Sequence, residues 1–331
     1  MSLSIARAGE SSFDRRAQGT AVAAGDFVPD AAWFAARRES FGSEALRLQV
    51  GPLEFRLEGL NLRQVERLRG MYGPFLRPTA AEAAGSGLTI RLTRAGVERF
   101  LALPAGRYEE YRLGRRTRDG RHDLWAYEFA ATADAGFTRA EVALLTEEGA
   151  EFNRGLENVL RFLCACTILD RGGLLVHGAG VVRGGRAHVF FGHSGAGKTT
   201  VTALSPRDLV LSDDITVVLP DGDRFVACGH PFGMAHHRVP DTTDSFPIAG
   251  LYRLVQSREV RLDPLDRGRG LGDLASCLPF VMQDAASAAR ALDIAAALLR
   301  TVPSWRLSFR KDDAFWGTIE NAAAIETEGA R

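Results

Sequence analysis

A glycine-rich segment followed by lysine and threonine is the part of this sequence best suited to chemistry. Residues 192–199 read G-H-S-G-A-G-K-T, a full match to the phosphate-binding pattern G-x-x-x-x-G-K-[ST]. Glycines let successive backbone N–H groups bend into one concavity, and the positive end of a following helix dipole favours an anion there. We therefore predict that Lys198 reaches the β and γ phosphates of ATP and that Thr199 binds Mg²⁺. The residues predicted to contact the nucleotide are Gly192, His193, Ser194, Gly195, Ala196, Gly197, Lys198, Thr199 and Thr200.

Lysine is almost absent from the rest of the chain. Of the 41 lysine and arginine residues, only Lys198 and Lys311 are lysines. A compact ammonium on a flexible stem fits inside the curl of a phosphate loop, whereas a planar guanidinium is larger. The retention of lysine at position 198 therefore favours the functional interpretation over a chance match in a glycine-rich turn.

Two carboxylates follow the next predicted strand. Residues 208–212 read as a short apolar strand, and Asp213 and Asp214 come directly after it. Beside a phosphate loop, one such acid can bind Mg²⁺ through water while the other takes a proton from an attacking hydroxyl. A solvated Asp-Asp turn is the alternative. Only fifteen positions separate Lys198 from Asp213, a spacing typical of kinases rather than of motor or switch NTPases.

The surrounding pattern predicts the elements that position these residues. An apolar strand over 187–191 enters the loop, and a helix over 199–204 leaves it. A strand over 174–182, turning at 184–185, precedes them. Earlier still, 151–170 has helical spacing and is followed by R-G-G. A helix over 285–299 and a strand over 305–309 complete the predicted second half.

The first half of the sequence predicts a smaller α+β module. Strand-like alternation occurs over 46–57 and 88–92, with helical spacing over 61–76 between them. Strands over 108–113 and 124–130, joined across Asp119-Gly120, would close a small antiparallel sheet. Four arginines flank this hairpin and would form either a solvated edge or a dock for an acidic or phosphorylated partner: Arg115, Arg116, Arg118 and Arg121. We thus predict a flexible lead-in over 1–25, an α+β domain over 26–150 and a catalytic domain over 151–331.

Composition excludes several classes of protein. The chain has 331 residues, 46% of them apolar, which is enough for a real core. Because 41 basic residues balance 41 acidic ones, charge gives no reason to expect nucleic acid or an anionic membrane as partner. With neither a signal-like start nor an 18-residue apolar run, a cytoplasmic location is predicted. The cysteines are predicted to be reduced core thiols: Cys164, Cys166, Cys228 and Cys277.

Three segments together resemble a known family. Residues 176–182 (V-H-G-A-G-V-V), 192–199 and 211–214 (L-S-D-D) are similar in order and spacing to the catalytic domain of HPr serine kinase and its relatives. The resemblance implies an α/β P-loop kinase domain related in fold to ATP-dependent phosphoenolpyruvate carboxykinase, which uses ATP and Mg²⁺ to phosphorylate a hydroxyl. It also implies that His177 lies beside the phosphates, that Asp213 is the base, that Asp214 supports the metal, and that the protein could assemble as a homo-oligomer.

One departure from the family limits what is carried over. Residues 259–262 (E-V-R-L) lack the glycines of the segment associated with phosphorylase activity and lie 46 positions past Asp213. Neither that activity nor HPr itself as substrate is therefore expected. The acceptor is predicted to be a serine of a peptide or small protein recognised by the first 150 residues, with a small-molecule hydroxyl or a non-catalytic ATP-sensing module as alternatives.

A segment rich in glycine and histidine follows the acids. His230, His236, His237 and Arg238 could frame the acceptor, with the arginine on a phosphate, or could belong to an ordinary connection whose histidines face water. A zinc site built from the three histidines is a further alternative, although no acidic or thiol ligand is spaced to complete it.

Overall fold

A computed structural model describes most of the chain. The described residues are 29–36, 39–77, 87–97, 100–101, 113–232 and 242–329, with side chains described as far as residue 322. The predicted lead-in over 1–25, most of the predicted strand over 108–113, and His236, His237 and Arg238 lie outside these residues. Within the described ranges, no helix has the length and apolar character needed to cross a membrane.

The first half forms an eight-stranded mixed sheet, as far as its residues are described. The order across the sheet is β3-β1-β2-β4-β8-β7-β6-β5, in which β4 runs parallel to β2 and β8. The small antiparallel sheet predicted here is therefore wrong in both size and type. The elements are α1 (Ala31–Ala36), β1 (Glu44–Val50), β2 (Leu53–Leu60), α2 (Leu62–Tyr72), β3 (Leu76–Arg77), β4 (Leu88–Arg94), β5 (Gly114–Arg118), β6 (Arg121–Trp125), β7 (Phe129–Asp134) and β8 (Arg139–Leu144).

Local signals explain several boundaries in this half. Asn61 caps α2 in a reciprocal capping box with Gln64, so the helix begins where the sequence predicts. Asp119 (φ 50°) and Gly120 (φ 70°) both occupy the left-handed region, and the hairpin predicted at this dipeptide is confirmed. The predicted strand over 124–130 is instead divided between β6 and β7, because Ala126 N–H donates to Phe129 O (2.9 Å) across a tight turn.

The arginines beside this hairpin do not form one solvated cluster. The Arg115 side chain is only 6% exposed, its Nη2 donates to Ser287 Oγ (3.1 Å), and its guanidinium lies 5.6 Å from the centre of the Phe162 ring. Arg116 pairs with Asp123 at 2.8 Å. Arg118 and Arg121 are exposed. The prediction of a wholly solvated edge is thus wrong for Arg115, which ties the hairpin to the second half.

The second half contains nine strands and five helices among the described residues. Its sheet has the order β12-β10-β11-β15-β14-β13-β9, with β17 beside β15 and β16 beside β17. The elements are α3 (Gly149–Asp170), β9 (Leu174–Val176), β10 (Gly178–Arg183), β11 (Arg186–Phe191), α4 (Lys198–Ala203), β12 (Leu209–Ser212), β13 (Thr216–Asp221), β14 (Arg224–Cys228), β15 (Ser245–Gln256), β16 (Arg261–Pro264), α5 (Arg267–Ala275), α6 (Ala285–Thr301), β17 (Ser304–Phe309) and α7 (Ala314–Gly329).

Most predictions for this half are confirmed to within a few residues. The helix predicted over 151–170 is α3, the strand into the loop is β11, and the helix and strand predicted near the end are α6 and β17. The segment predicted as one strand over 174–182 is divided at His177. This break occurs because β9 pairs with β13, whereas β10 pairs with β11 and β12.

Strand β11 is buried on both faces. Ala187, Val189 and Phe191 belong to the main core, while Phe190 packs in a second core with Phe315 and Trp316 of α7. Alternate residues of a strand point to opposite faces of a sheet, so a nearly continuous apolar run is the expected sequence for a covered strand. The loop that follows β11 therefore starts from a rigid, doubly packed strand.

Helix α3 packs against both halves. It contacts β7 and β8 on one side and β9 on the other. Phe129 of the first sheet and Val217 of the second belong to one continuous core cluster with the α3 residues Leu156 and Phe162. The two halves thus share a core, and the division into domains at residue 150 stays a prediction.

Candidate active site

Strand register brings the loop and the paired acids to one edge of the second sheet. Gly178 lies opposite Phe191, the last residue of β11, and Gly180 lies opposite Ser212, the last residue of β12. Because β10 is antiparallel to both, β11 and β12 end at the same edge. Neighbouring strands lie about 4.8 Å apart and the two strand ends are offset by two residues of about 3.4 Å each along β10, so the ends are separated by about 12 Å. His177 immediately precedes β10 and thus lies between them.

The loop from residue 192 to residue 197 turns sharply before α4. Ala196 N–H donates to His193 O (3.0 Å), which closes the turn and leaves residues 193–195 exposed at its tip. Gly195 (φ 76°) and Gly197 (φ 111°) both adopt positive φ angles that L side chains rarely adopt. The backbone path of this loop therefore favours glycine both at Gly197, which belongs to the pattern, and at Gly195, which stands at a variable position of it.

Two side chains from neighbouring strands support the loop. A Cβ atom at Gly197 would lie only 2.5 Å from Phe309 Cζ, so the ring at the end of β17 closes the space beneath this glycine. Gln256, at the end of β15, donates from Nε2 to Gly195 O (2.6 Å). Both contacts come from the carboxyl ends of strands on the same side of β11, and both hold the loop close to the sheet.

Lys198 is the first residue of α4, and its side chain returns to the loop. Lys198 is only 7% exposed, and its Nζ donates to Gly192 O (3.1 Å) and His193 O (3.3 Å). A buried ammonium is stable only when it is hydrogen-bonded. The loop therefore holds a positive charge at its centre. Thr199 is exposed and Thr200 is half-buried in the first turn of a helix of six residues.

The paired acids lie in a tight turn that is held by hydrogen bonds to Ser212 and His230. Ser212 Oγ accepts hydrogen bonds from the N–H groups of Asp214 (3.2 Å) and Ile215 (3.1 Å). His230 is fully buried, with Nε2 hydrogen-bonded to Ile215 O and Nδ1 accepting from Phe232 N–H (3.2 Å). Burial lowers the pKa of His230 to about 4, so this ring is neutral at pH 7. Asp213 and Asp214 are both half-buried.

The observed role of His230 corrects the interpretations of the glycine- and histidine-rich segment. Its ring does not face water, and both of its nitrogens are engaged by protein groups, which also excludes it as a zinc ligand in this arrangement. Across the part of the chain that the structure describes, no three His, Cys, Asp or Glu side chains cluster to hold a metal ion. His230 instead anchors the backbone that follows the acids.

Asp214 lies between a histidine and a buried arginine. Its Oδ1 is 3.6 Å from His177 Nδ1, and its Oδ2 is 3.6 Å from Arg161 Nη1. Arg161, from the middle of α3, also pairs through Nη2 with Glu157 at 2.6 Å. These contacts join the second acid to the predicted histidine on one side and to the central helix on the other.

Cys277 and Arg253 also lie close to the loop. Cys277 O accepts a hydrogen bond from His177 N–H (2.7 Å). Burial raises the pKa of the Cys277 thiol, against the opposing effects of a hydrogen bond with Ser276, the Lys198 charge and the backbone of Gly192. Arg253 lies opposite Phe191 on β15, and its Nε is 3.3 Å from Asp273 Oδ2.

The structure thus brings the predicted residues to one sheet edge: the loop, Lys198, His177 and the acid pair. Sequence reasoning missed Arg161, Gln256 and Phe309. Arg161 had a visible signal, because it is the one charged residue within the apolar run 159–169 of α3. Gln256 and Phe309 had none, since they reach the loop only through the pairing of β15 and β17.

A family model matches the second half of the chain. Residues 158–324 match the family model described as SynChlorMet cassette protein ScmC, which is 167 of the 331 residues. None of the curated proteins matches the chain. The matched segment begins within α3 and ends within α7, and it contains the loop, the acids, His177 and Arg161.

Proposed function

The chain belongs to the SynChlorMet cassette protein ScmC family, and we propose that it is an ATP- and Mg²⁺-dependent kinase related to HPr serine kinase. Its second half would be the P-loop kinase domain. The reaction would transfer the γ-phosphoryl group to a hydroxyl, such as a serine of a peptide or small protein. Phosphoryl transfer needs positioning and charge neutralisation more than covalent chemistry, and the residues at this edge suit both needs.

The observation that carries the proposal is the shared sheet edge. A phosphate-loop sequence alone is common, but here β11, β12 and the start of β10 bring Lys198, the acid pair and His177 together. A separation of about 12 Å between the two strand ends leaves room for a triphosphate and an acceptor oxygen between the loop and the acids. The turn that carries the acids is held in place by hydrogen bonds to Ser212 and His230.

The proposal gives a role to each of these residues. Lys198 already interacts with two carbonyl oxygens, and phosphate oxygens would replace them as its partners. Asp213 would accept the proton of the attacking hydroxyl. His177 would contact the transferring phosphate from the middle of the edge.

The donor set also suits magnesium. Mg²⁺ prefers carboxylate and hydroxyl oxygens and usually binds through one or two carboxylates together with substrate phosphates. Asp214, Asp213 and the exposed Thr199 hydroxyl are oxygen donors of this kind. When bound, the ion would neutralise charge on the phosphates.

The proposal is tested with the full chain and four variants. Lys198→Ala and Asp213→Asn remove the two residues on which the chemistry depends. Lys311→Ala is the matched control, because Lys311 is the other lysine and is exposed. Asp223→Asn is a control for loss of an exposed acid. Mg²⁺-dependent ATP binding is measured by calorimetry, and transfer to pooled peptides and metabolites is measured by mass spectrometry.

We expect wild type and both controls to bind MgATP and transfer phosphate. Lys198→Ala should lose binding, and Asp213→Asn should bind MgATP but lose about 100-fold or more in turnover. Failure of wild type to bind MgATP would refute the proposal. Tight binding with equal, negligible transfer by wild type and Asp213→Asn would instead favour an ATP sensor.

A further inference from the structure

Arg161 is a charged residue in an otherwise apolar part of α3. The run 159–169 contains this one ionisable side chain apart from two cysteine thiols, and its neighbours in the helix are core residues. The Arg161 side chain is only 9% exposed. Burial of a guanidinium is costly unless it is paired and hydrogen-bonded. Its presence here therefore requires a reason beyond packing.

The contacts of Arg161 lead directly to the acid pair. Glu157, one turn earlier in α3, holds Nη2 at 2.6 Å, while Nη1 lies 3.6 Å from Asp214 Oδ2. Arg161 Nε is buried, and none of the residues that the structure describes accepts a hydrogen bond from it. A guanidinium placed only to stabilise the fold would be expected to satisfy this donor, since an unmet buried donor is destabilising. Arg161 is thus placed to contact Asp214, even though its Nε donor then has no hydrogen bond among the described residues.

The two oxygens of Asp214 have different partners. Oδ1 is 3.6 Å from His177 Nδ1, and Oδ2 faces Arg161. A carboxylate with a separate partner at each oxygen has a defined plane and rotamer, whereas one partner leaves rotation about the side-chain bonds available. Arg161 thereby restricts where Asp214 Oδ1 lies relative to His177.

We propose that Arg161 is a positioning residue, which holds Asp214 against His177 and so fixes the orientation of the second acid. The effect of Arg161 on the binding of Mg²⁺ and ATP rests on the proposed kinase function. Its effect on the contact between Asp214 and His177 does not. The residue acts through Asp214 and is not expected to contact substrate. Glu157 would orient Arg161 in turn.

The test uses variants of the full chain that separate position from folding. Arg161→Gln removes the charge, and Arg161→Lys keeps it with a shorter, single-point donor. Arg154→Gln is the matched control, because Arg154 lies on the same helix and also pairs with a largely buried carboxylate, Glu128, away from the acids. If loss of one partner of the buried pair prevents folding of Arg161→Gln, Arg161→Lys and Glu157→Gln carry the test.

The first measurement needs no nucleotide. The ring signals of His177 are recorded by NMR and assigned among the seven histidines with a His177→Gln variant. We expect Arg161→Gln to shift them in the same direction as Asp214→Asn, and the double variant to shift them no further than Asp214→Asn alone. The His177 signals of Arg161→Lys should lie closer to those of wild type, and the His177 signals of Arg154→Gln should equal those of wild type. His177 signals that respond to Asp214→Asn but not to any Arg161 or Glu157 variant would overturn the proposal.

The second measurement compares ATP binding with and without Mg²⁺. Arg161→Gln should weaken the Mg²⁺-dependent part of the affinity by about 10- to 100-fold, the usual effect of losing a group that orients a metal ligand. Binding of metal-free ATP should be unchanged. If wild type binds no nucleotide at all, the kinase proposal fails while the His177 signals still decide the role of Arg161.

Discussion

Replacement of Gly197 by alanine should damage the loop more than the same change at Gly195. Both glycines lie in the loop and both have positive φ angles, 111° and 76°. They differ in the space around them. A Cβ at Gly197 would lie 2.5 Å from Phe309 Cζ and 3.1 Å from Cε1, whereas a Cβ at Gly195 would meet nothing within 4 Å.

The expected losses of stability follow from two costs, the strain of a side chain at a positive φ angle and the steric overlap with Phe309. A non-glycine residue at positive φ costs about 1–2 kcal/mol. Overpacking against a fixed aromatic ring adds about 1–3 kcal/mol, and Phe309 is fixed because it packs in the second core. We therefore expect Gly195→Ala to lower the free energy of unfolding by about 1–2 kcal/mol and Gly197→Ala by about 2–5 kcal/mol.

Urea unfolding followed by tryptophan fluorescence measures both costs. The double variant Gly197→Ala/Phe309→Leu provides the decisive comparison, because a smaller side chain at 309 makes room for the new methyl group. Its coupling energy should be favourable by about 0.5–3 kcal/mol, the range for residues in contact. Equal costs at the two glycines, together with additive effects of Gly197→Ala and Phe309→Leu, would refute the steric argument.

Three further predictions concern stability and thiol chemistry. Because burial lowers the folded-state pKa of His230 to about 4, below its ordinary 6.5, the stability it contributes is present above pH 6.5 and lost as the pH falls toward 4. The free energy of unfolding, measured with urea at pH 7 and pH 4.5, should fall by less in His230→Gln than in wild type. His230 accounts for up to about 3 kcal/mol of the fall in wild type. Asn61→Ala should cost about 1 kcal/mol through loss of the α2 capping box, with faster amide exchange in the first turn of that helix and little change in α6. All four cysteines are buried with raised pKa values, Cys166 to about 12, so a disulfide reagent at pH 8 should label them only at the rate of unfolding; rapid labelling of any one would contradict the described packing.

Features determined by adjacent residues were predictable. The strand into the loop could be recognised because burial on both faces gives an apolar run, and α2 could be located because its apolar residues recur at helical spacing. The acids could be assigned to a strand end because β12 is short and apolar before Asp213. In each case the signal and the structure it determines lie within a few residues.

Features determined by distant pairing were not predictable. Strand β15 joins both parts of the second sheet, pairing with β14 at its start and with β11 and β17 farther along. The division of the segment around His177 depends on which strands pair on either side of it, not on its own residue types. The contact between Arg161 and Asp214 spans 53 positions and requires α3 to pack beneath the second sheet.

The scarcity of amines gives the chain a built-in chemical reporter. Lys311 is exposed, whereas the Lys198 amine is enclosed and hydrogen-bonded by two carbonyls of its own loop. An acylating reagent should therefore modify Lys311 quickly and Lys198 slowly, and the two products are separable by peptide mapping. The slow rate would measure how often the loop releases its lysine, so that opening of the loop in solution can be timed without a ligand.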